Sequence, residues 1–277
     1  DDYDVLPRPF VALYDDQGKK LKIVLISHPF TRQTGENGSF EQYKRWQQEG
    51  IQFAGITSFS EFPGHFSNPY DTMSNRKDDC WKLHNYMKYC KVWLHCFRNP
   101  NKHIETGKPL ALISESDFID PKFKPNPNKT RKQYDFIYIC NDDNNTCKDG
   151  WNSYIRNWKL AKQCIHVMCH IYKMKGVVIG RKNCEFLGDY GNLLQRKEFM
   201  PQDDLIKLFQ QTKILLVPNT ADASPRVITE ALACDCRILV NRNILGGWKY
   251  VNEQTGEFFT NRHDFEEALN KMNRREH

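Results

Sequence analysis

The chain has 277 residues, of which 39% are hydrophobic, and a formal net charge of +6 from 40 basic and 34 acidic side chains. This hydrophobic content is too high for an intrinsically disordered protein, and no apolar run approaches the ~18 residues of a membrane-spanning helix. The length suits two domains of about 130 residues each. The mild positive charge favours anionic ligands but does not distinguish a nucleotide sugar from a nucleic acid.

Strands and helices alternate in the first part of the chain. Residues 22–27 have the pattern of a buried strand, and a polar loop with Gly35 and Gly38 separates them from an amphipathic helix over about 40–49. Further predicted elements are strands at 51–56, 92–96 and 110–113 and a helix at 78–89. Such alternation predicts an α/β domain with a mostly parallel sheet.

A second α/β pattern follows a charged segment with three prolines, residues 120–132, which is the best candidate for a linker. Its predicted elements are strands at 134–140, 177–179, 214–218 and 237–240 and helices at 153–173, 203–211 and 265–275. We therefore expect one domain over residues 1–128, a second over 129–262, and a terminal helix within 263–277.

Ten cysteines are spread along the chain without a Cys-x-x-Cys pair or a histidine at zinc spacing. Several fall within predicted strands or helices, among them Cys140, Cys164 and Cys169, as is typical of small buried side chains in a reducing compartment. We therefore expect a cytoplasmic protein, although the even number leaves a disulfide-bonded, secreted protein open. The chain begins at Asp1 without methionine, which leaves a preceding targeting segment open as well.

The strongest signal for a binding site lies at residues 222–232, with the sequence Asp-Ala-Ser-Pro-Arg-Val-Ile-Thr-Glu-Ala-Leu. Ser224 followed by Pro225 predicts a helix start, with serine as the N-cap and proline in the first turn. Because the segment follows a predicted strand, the free N–H groups and the helix dipole should form an anion site. Arg226 adds a guanidinium beside it.

Glu230 lies one helical turn after Arg226 and on the same side of the predicted helix. Its carboxylate can therefore accept two hydroxyl groups of a ligand whose phosphates lie at the helix start. The arrangement fits a nucleotide with a ribose. The alternative is an ordinary helix start with a solvated glutamate.

Residues 222–230 resemble the E-x7-E motif of glycosyltransferases with the GT-B fold, with Asp222 and Glu230 at the acidic positions. The similarity spans residues 176–262 and includes Gly246-Gly247 and the later Thr-Gly pair. It implies two Rossmann-like domains that face each other across a cleft, with mostly parallel sheets. The N-terminal domain would bind the acceptor, the C-terminal domain would bind the nucleotide sugar, and the terminal helix would pack back on the N-terminal domain.

The resemblance also implies roles for individual residues. The second acidic residue of the motif, here Glu230, holds the donor ribose, and the first, here Asp222, contacts the donor sugar. This sequence departs from the pattern because Asp222 replaces a glutamate and Asp235 replaces a glycine. The helix-start pattern and the resemblance together give as donor-binding candidates Glu230, Asp222, Ser224, Pro225, Arg226, Val227, Lys148, Arg156, Lys159 and Met200. Among them, Lys148, Arg156 and Lys159 are rival candidates for a basic partner of the diphosphate.

An inverting reaction also needs a general base, for which the sequence offers three candidates. Asp71 lies in a loop rich in proline, glycine and asparagine, His28 follows the first predicted strand, and Asp117 follows the strand at 110–113. A lone loop aspartate is usually a turn former, but Asp71 is the leading candidate for the base, ahead of His28 and Asp117.

Metal-dependent glycosyltransferases of the other main fold need an Asp-x-Asp triplet after a strand. The only such triplet, Asp2-Tyr3-Asp4, precedes every predicted strand. We therefore expect no metal and no cofactor other than the nucleotide-sugar co-substrate.

The leading hypothesis is thus a metal-independent glycosyltransferase that moves a sugar from a UDP-linked donor to a hydroxyl group of a glycan. Chain length, aromatic content and Lys/Asn usage are similar to those of small glycosyltransferases of large algal DNA viruses, which implies UDP-xylose, inversion and a host cytoplasm. One alternative is a retaining hexosyltransferase of the same fold. Another is a module that binds nucleotides or nucleic acid without chemistry, which is disfavoured because the basic residues form no single stripe. No Gly-x-Gly-x-x-Gly follows a strand, which disfavours a dinucleotide oxidoreductase.

Overall fold

The computed structural model describes residues 6, 9–27, 30, 38–57, 86–104, 107–128 and 131–274. The chain forms two compact units, residues 1–115 and 116–277. Within these described residues, the first unit contains a sheet of five strands and the second a sheet of six.

The sheet of the first unit has the strand order β1-β2-β3-β4-β5. Its elements are β1 (Phe10–Tyr14), β2 (Lys20–Ile26), α1 (Ser39–Gln48), β3 (Gln52–Ile56), β4 (Val92–Leu94) and β5 (Leu110–Ala111). Among the described strands of this unit, β1 pairs antiparallel with β2, and the other neighbours are parallel. Aromatic rings fill the space under α1, where Tyr43 lies 4.6 Å from Phe53 between ring centroids.

The sheet of the second unit has the strand order β11-β10-β9-β6-β7-β8, and all of its described pairs are parallel. Its strands are β6 (Tyr134–Ile139), β7 (Gly176–Ile179), β8 (Leu194–Lys197), β9 (Thr212–Val217), β10 (Arg237–Asn241) and β11 (Gly256–Phe259). Its helices are α2 (Trp151–Ile155), α3 (Trp158–His166), α4 (Gln202–Gln210), α5 (Arg226–Ala233) and α6 (Arg262–Arg274). The order reverses between β6 and β9, as in a Rossmann-like sheet.

Helices cover both faces of this second sheet, so its central strands are buried on both sides. Consecutive residues of β6 lie on opposite faces of the sheet. Phe136 packs with α3 and α6, whereas Ile137 packs with α4 and α5. Near-continuous hydrophobic strands are the pattern expected of a doubly covered parallel sheet. The strands that the sequence predicted most clearly are these central ones.

The terminal helix α6 contributes its apolar face to the core of the second unit. Phe265 and Leu269 are fully buried there, and the ring of Phe265 meets Phe259 edge-on at 5.0 Å. Arg237 of β10 also donates a hydrogen bond of 2.8 Å to the Met272 carbonyl. The apolar face of α6 thus belongs to the core of the second unit, and the expected packing of this helix on the N-terminal domain stays a prediction.

The division between the units lies at residues 115/116, thirteen residues before the predicted boundary at 128/129. The proline-rich segment that we expected to be a linker is attached to the second unit. The Phe123 side chain is buried against Phe209, and Gln210 donates a hydrogen bond of 2.9 Å to the Lys124 carbonyl. A single buried aromatic ring therefore anchors a segment whose composition is typical of a free linker.

The long helix predicted over 153–173 is interrupted. Asn157 adopts a left-handed conformation with φ 49° between α2 and α3, and residues 167–171 form a π-helical turn after α3. Within the described ranges, no helix combines the length and apolar character that crossing a membrane would require.

A disulfide joins Cys147 to Cys184, with their Cα atoms 5.2 Å apart. The expectation that the cysteines are reduced is therefore wrong for this pair. It holds for the other cysteines that the structure describes, which are buried free thiols at positions 90, 96, 140, 164, 169, 234 and 236.

Reduction of this disulfide should lower the free energy of unfolding by about 3–4 kcal/mol, because the bond closes a long loop in the unfolded chain. The two cysteines are 37 residues apart. Urea unfolding with and without dithiothreitol measures the difference. The double variant Cys147→Ala/Cys184→Ala should start at the lower stability and show no response to the reductant. Identical stability of the wild type in both conditions would contradict the prediction.

Candidate functional site

The candidate site lies where the loops after β6 and β9 leave the second sheet. These two parallel strands are neighbours, yet their chain connections run to opposite sides of the sheet. In open α/β sheets, ligands bind at this reversal, at the carboxyl ends of the strands. Residues 218–225 follow β9 at this edge, and residues 140–157 follow β6.

Asp222 and Arg156 connect the two loops by a direct ion pair. The Arg156 guanidinium donates to Asp222 Oδ2, and Asn219 donates to the same oxygen at 3.0 Å. The other oxygen, Oδ1, accepts the backbone N–H of Ser224 at 3.2 Å. The structure therefore brings Asp222 and Arg156 together, whereas Asn219 was not expected from the sequence.

Helix α5 begins at Arg226, and Pro225 occupies the N-cap position. The prediction that Ser224 caps this helix is wrong. Its hydroxyl oxygen instead accepts the backbone N–H of Ser116 at 2.8 Å, and no side chain in the described part of the chain caps the helix. The positive end of the helix dipole therefore has no side-chain oxygen of its own to stabilise it.

The Gly246-Gly247 pair supports this helix start. Gly246 donates its N–H to the Asp222 carbonyl at 2.9 Å. Gly247 has φ 79°, and a Cβ atom there would lie 2.6 Å from Pro225 Cγ. Position 247 therefore suits glycine alone, because glycine adopts a positive φ without strain and has no Cβ atom to collide with Pro225.

Glu230 is half-buried on α5, and its surroundings raise the pKa of its carboxyl above the usual value. Burial is the main cause, and the positive charges of Arg226 and Arg156 oppose it. Both guanidinium groups therefore act on the same carboxylate. We call Arg156, Asp222, Arg226 and Glu230 the charged cluster.

The remaining donor-binding candidates differ in how exposed they are. Pro225 is buried and Val227 is half-buried on α5, whereas Lys148 and Lys159 are exposed. Met200 is half-buried after β8, beside Phe199, whose side chain is 73% exposed. Of the three rival basic residues, Arg156 alone has a described contact with the side chains of residues 222–230, which we call the acidic segment.

A buried ion pair that the sequence analysis missed fixes the loop between β6 and α2. Arg181 is fully buried, donates to Asp143 Oδ2 at 2.9 Å and lies 5.4 Å from the Trp158 ring. Burial by itself raises the pKa of Asp143. Hydrogen bonds from the Ser153 and Asn152 backbone N–H groups, together with the charge of Arg181, lower this pKa by more, so the net shift is downward. Nothing in the sequence distinguishes this arginine from an exposed one.

Of the three candidates for a catalytic base, the structure describes only Asp117. Its carboxylate accepts hydrogen bonds from Lys249 at 2.6 Å and from the Tyr250 hydroxyl group. Asp71 and His28 lie outside the described residues. All three assignments stay predictions.

The described residues contain no group of three or more His, Cys, Asp or Glu side chains that could hold a metal ion. The expected independence from metal and cofactors stays a prediction.

Solved structures with the same architecture identify the fold. Sucrose-phosphate synthase from Thermosynechococcus elongatus matches with a TM-score of 0.54 at 11% identity, over 83% of this chain and 61% of that chain. The chain has the GT-B fold. The prediction of an α/β protein with two Rossmann-like domains is thus confirmed.

Two further GT-B structures match at similar levels. One is the pneumococcal O-GlcNAc transferase GtfA in complex with UDP and GlcNAc, with a TM-score of 0.51 at 9% identity over 81% of this chain and 46% of that chain. The other is an E. coli trehalose-6-phosphate structure bound with UDP-2-fluoro glucose, with a TM-score of 0.52 at 11% identity over 84% of this chain and 62% of that chain. This GT-B chain therefore spans less than two thirds of each of the three. No family model and no curated protein matches its sequence.

The raised pKa of Glu230 gives a signed prediction for stability. Because the folded state holds this proton more tightly than the unfolded chain, ionisation of Glu230 costs stability as the pH rises from 4.5, its ordinary pKa, through the raised value. Glu230→Gln should therefore raise the Tm at pH 7 relative to wild type and leave it nearly unchanged at pH 4.

The control is Glu267→Gln. A hydrogen bond and ion pair with Lys271 lower the pKa of Glu267, so the same substitution there should lower the Tm slightly at pH 7. A loss of stability in Glu230→Gln at pH 7 would refute the argument.

Proposed function

We propose that this protein is a metal-independent glycosyltransferase that moves a sugar from a UDP-linked donor to a hydroxyl group of a glycan acceptor. The observation that carries the proposal is the charged cluster at the strand-order reversal of the second sheet. Two guanidinium groups and an uncapped helix start suit a diphosphate, and a half-buried carboxylate beside them suits the ribose.

The reaction requires a stabilised leaving group, because UDP departs with the negative charge of its diphosphate. Arg156 and Arg226 can pair with phosphate oxygens, and such charge-assisted hydrogen bonds are stronger than neutral ones. The Val227 N–H and the dipole at the start of α5 would add to this stabilisation, whereas the Arg226 and Ile228 N–H groups already donate to the Ser224 and Pro225 carbonyls. In such a preorganised site the charges need no reorganisation as the bond breaks.

Glu230 would bind the ribose in its ionised form, which accepts hydrogen bonds from two neighbouring hydroxyl groups. Burial makes this ionised form costly in the free protein, as its raised pKa indicates. Hydroxyl donors of a bound nucleotide would offset that cost. The affinity for UDP should therefore depend on this single carboxylate.

The narrower parts of the proposal concern the donor, the stereochemistry and the setting. We propose UDP-xylose as the donor, inversion at the transferred carbon, and a viral origin with action in the host cytoplasm. Asp71 is the proposed base, ahead of His28 and Asp117, since the Asp117 carboxylate already pairs with Lys249.

Two other functions remain in competition. A retaining hexosyltransferase of the same fold would need no base, so Asp71→Asn would keep its turnover. A module that binds nucleotides or nucleic acid without chemistry would release no free UDP from any sugar donor. A panel of UDP-xylose, UDP-glucose and UDP-galactose, assayed for released UDP, separates these functions.

Saturating UDP should raise the Tm by roughly 5 °C or more in the presence of EDTA, since ligand at a hundred times its Kd adds about 2.7 kcal/mol. Glu230→Ala should remove this shift, and the surface variant Glu267→Ala should keep it. Differential scanning fluorimetry measures all three proteins. Stabilisation by an oligonucleotide, with none from UDP, would favour the binding module instead.

Asp71→Asn should reduce transfer by at least about a hundredfold, the lower range for loss of a general base. The UDP-induced Tm shift should persist, because the base acts on the acceptor hydroxyl. His28→Ala and Asp117→Asn serve as parallel variants. Full turnover in Asp71→Asn would remove this residue from the mechanism.

A further inference from the structure

We infer that Asp222 is a positioning residue, whose carboxylate directs the Arg156 guanidinium toward the donor diphosphate instead of contacting the donor sugar. The inference rests on the proposed function and deepens it. It departs from the role that the position of Asp222 in the acidic segment implies, and it adds Asn219 to the site.

The first argument is that the Asp222 carboxylate is already occupied. Its side chain is only 12% exposed. Oδ2 accepts from both Arg156 and Asn219, and Oδ1 accepts the Ser224 N–H. A carboxylate offers about four acceptor positions, so three donors leave too little capacity to hold neighbouring sugar hydroxyls.

The second argument is that the segment carrying Arg156 is fixed against the segment carrying Asp222. The Tyr138 hydroxyl group donates to the Arg156 carbonyl at 3.0 Å. Asn157 donates its side-chain amide to the Pro218 carbonyl at 3.0 Å, from a left-handed backbone conformation that ends α2. Backbone and side chain of Arg156 are thus both held at this edge of the sheet.

The third argument concerns the donors that Arg156 keeps available. A guanidinium has five N–H donors, and within the described residues the Arg156 side chain uses only its NH1 group, toward Asp222. The side chain remains 29% exposed. Most of its donors can therefore meet phosphate oxygens while the ion pair stays in place.

The short side chain of Asp222 suits this holding role, because it keeps the ion pair with Arg156 close to the loop that follows β9.

The test is a double-mutant cycle on ligand affinity. Calorimetry gives the Kd of UDP and of uridine for wild type, Asp222→Ala, Arg156→Ala and the double variant. We expect each single variant to weaken UDP binding about tenfold and the double variant to be no more than about twofold weaker than either, as for residues that act as a unit. Uridine binding should change less than about threefold, because uridine has no diphosphate.

Further variants keep the test decisive if an alanine variant does not fold. Asp222→Asn retains the shape and should also lose about fivefold in UDP affinity, while Asn219→Ala should lose about twofold. Asp135→Ala is the matched control, since Asp135 pairs with Lys213 at the opposite end of the same sheet and should leave both ligands unaffected.

The outcomes separate the two proposals. Unchanged UDP affinity in Asp222→Ala with weakened binding of UDP-xylose or UDP-glucose would assign Asp222 to the sugar and overturn the inference. Additive losses in the double variant would also overturn it. A wild-type protein that binds no UDP would refute the proposed function itself.

Discussion

The pairing of β6 with β9 is the constraint on which the candidate site depends. These strands lie about 70 residues apart in sequence, yet they are neighbours in the sheet, and the chain leaves them toward opposite faces. In open α/β sheets such a divergence leaves a crevice at the carboxyl ends of the strands. Arg156 reaches it from one side and Asp222 from the other, so the ion pair between them exists only because the sheet order reverses there.

Near this edge of the sheet, two partly buried carboxylates, Asp143 and Glu230, differ in the charges and hydrogen bonds that offset their burial. Asp143 and Arg181 form a buried pair in which the backbone N–H groups of α2 complete the carboxylate, so the loop after β6 is held by internal partners. Glu230 has no such set of donors among the residues that the structure describes, and burial raises its pKa despite two nearby arginines. A carboxylate with internal hydrogen-bond partners is typical of a structural ion pair, whereas a desolvated carboxylate with few donors is typical of a binding or catalytic site. The contrast distinguishes the two acidic residues by their physical state, although both look alike in the sequence.

Sequence patterns predicted the parts of the fold that burial dictates. The central strands of the second sheet are hydrophobic on both faces, and the amphipathic helices show one apolar side, so periodicity located them. Strands β1, β8 and β11 are short edge strands, and β8 is largely polar. Their sequences therefore lack the hydrophobic periodicity from which a strand can be predicted. The break at Asn157 and the partner of Ser224 depend on contacts with residues that are distant in sequence. The acidic segment was recognisable because its residues are consecutive, whereas Asn219 acquires its role only through the loop conformation.

The buried thiols offer a way to follow local opening of each unit. Burial raises the pKa of Cys90 to about 12 in the first unit and that of Cys236 to about 12 in the second. Since the thiolate is the reactive species, an alkylating reagent modifies such a group only in molecules where the surrounding segment has unfolded transiently. The positions of the modified cysteines, resolved by mass spectrometry, would then give separate opening rates for the two halves of one unlabelled chain.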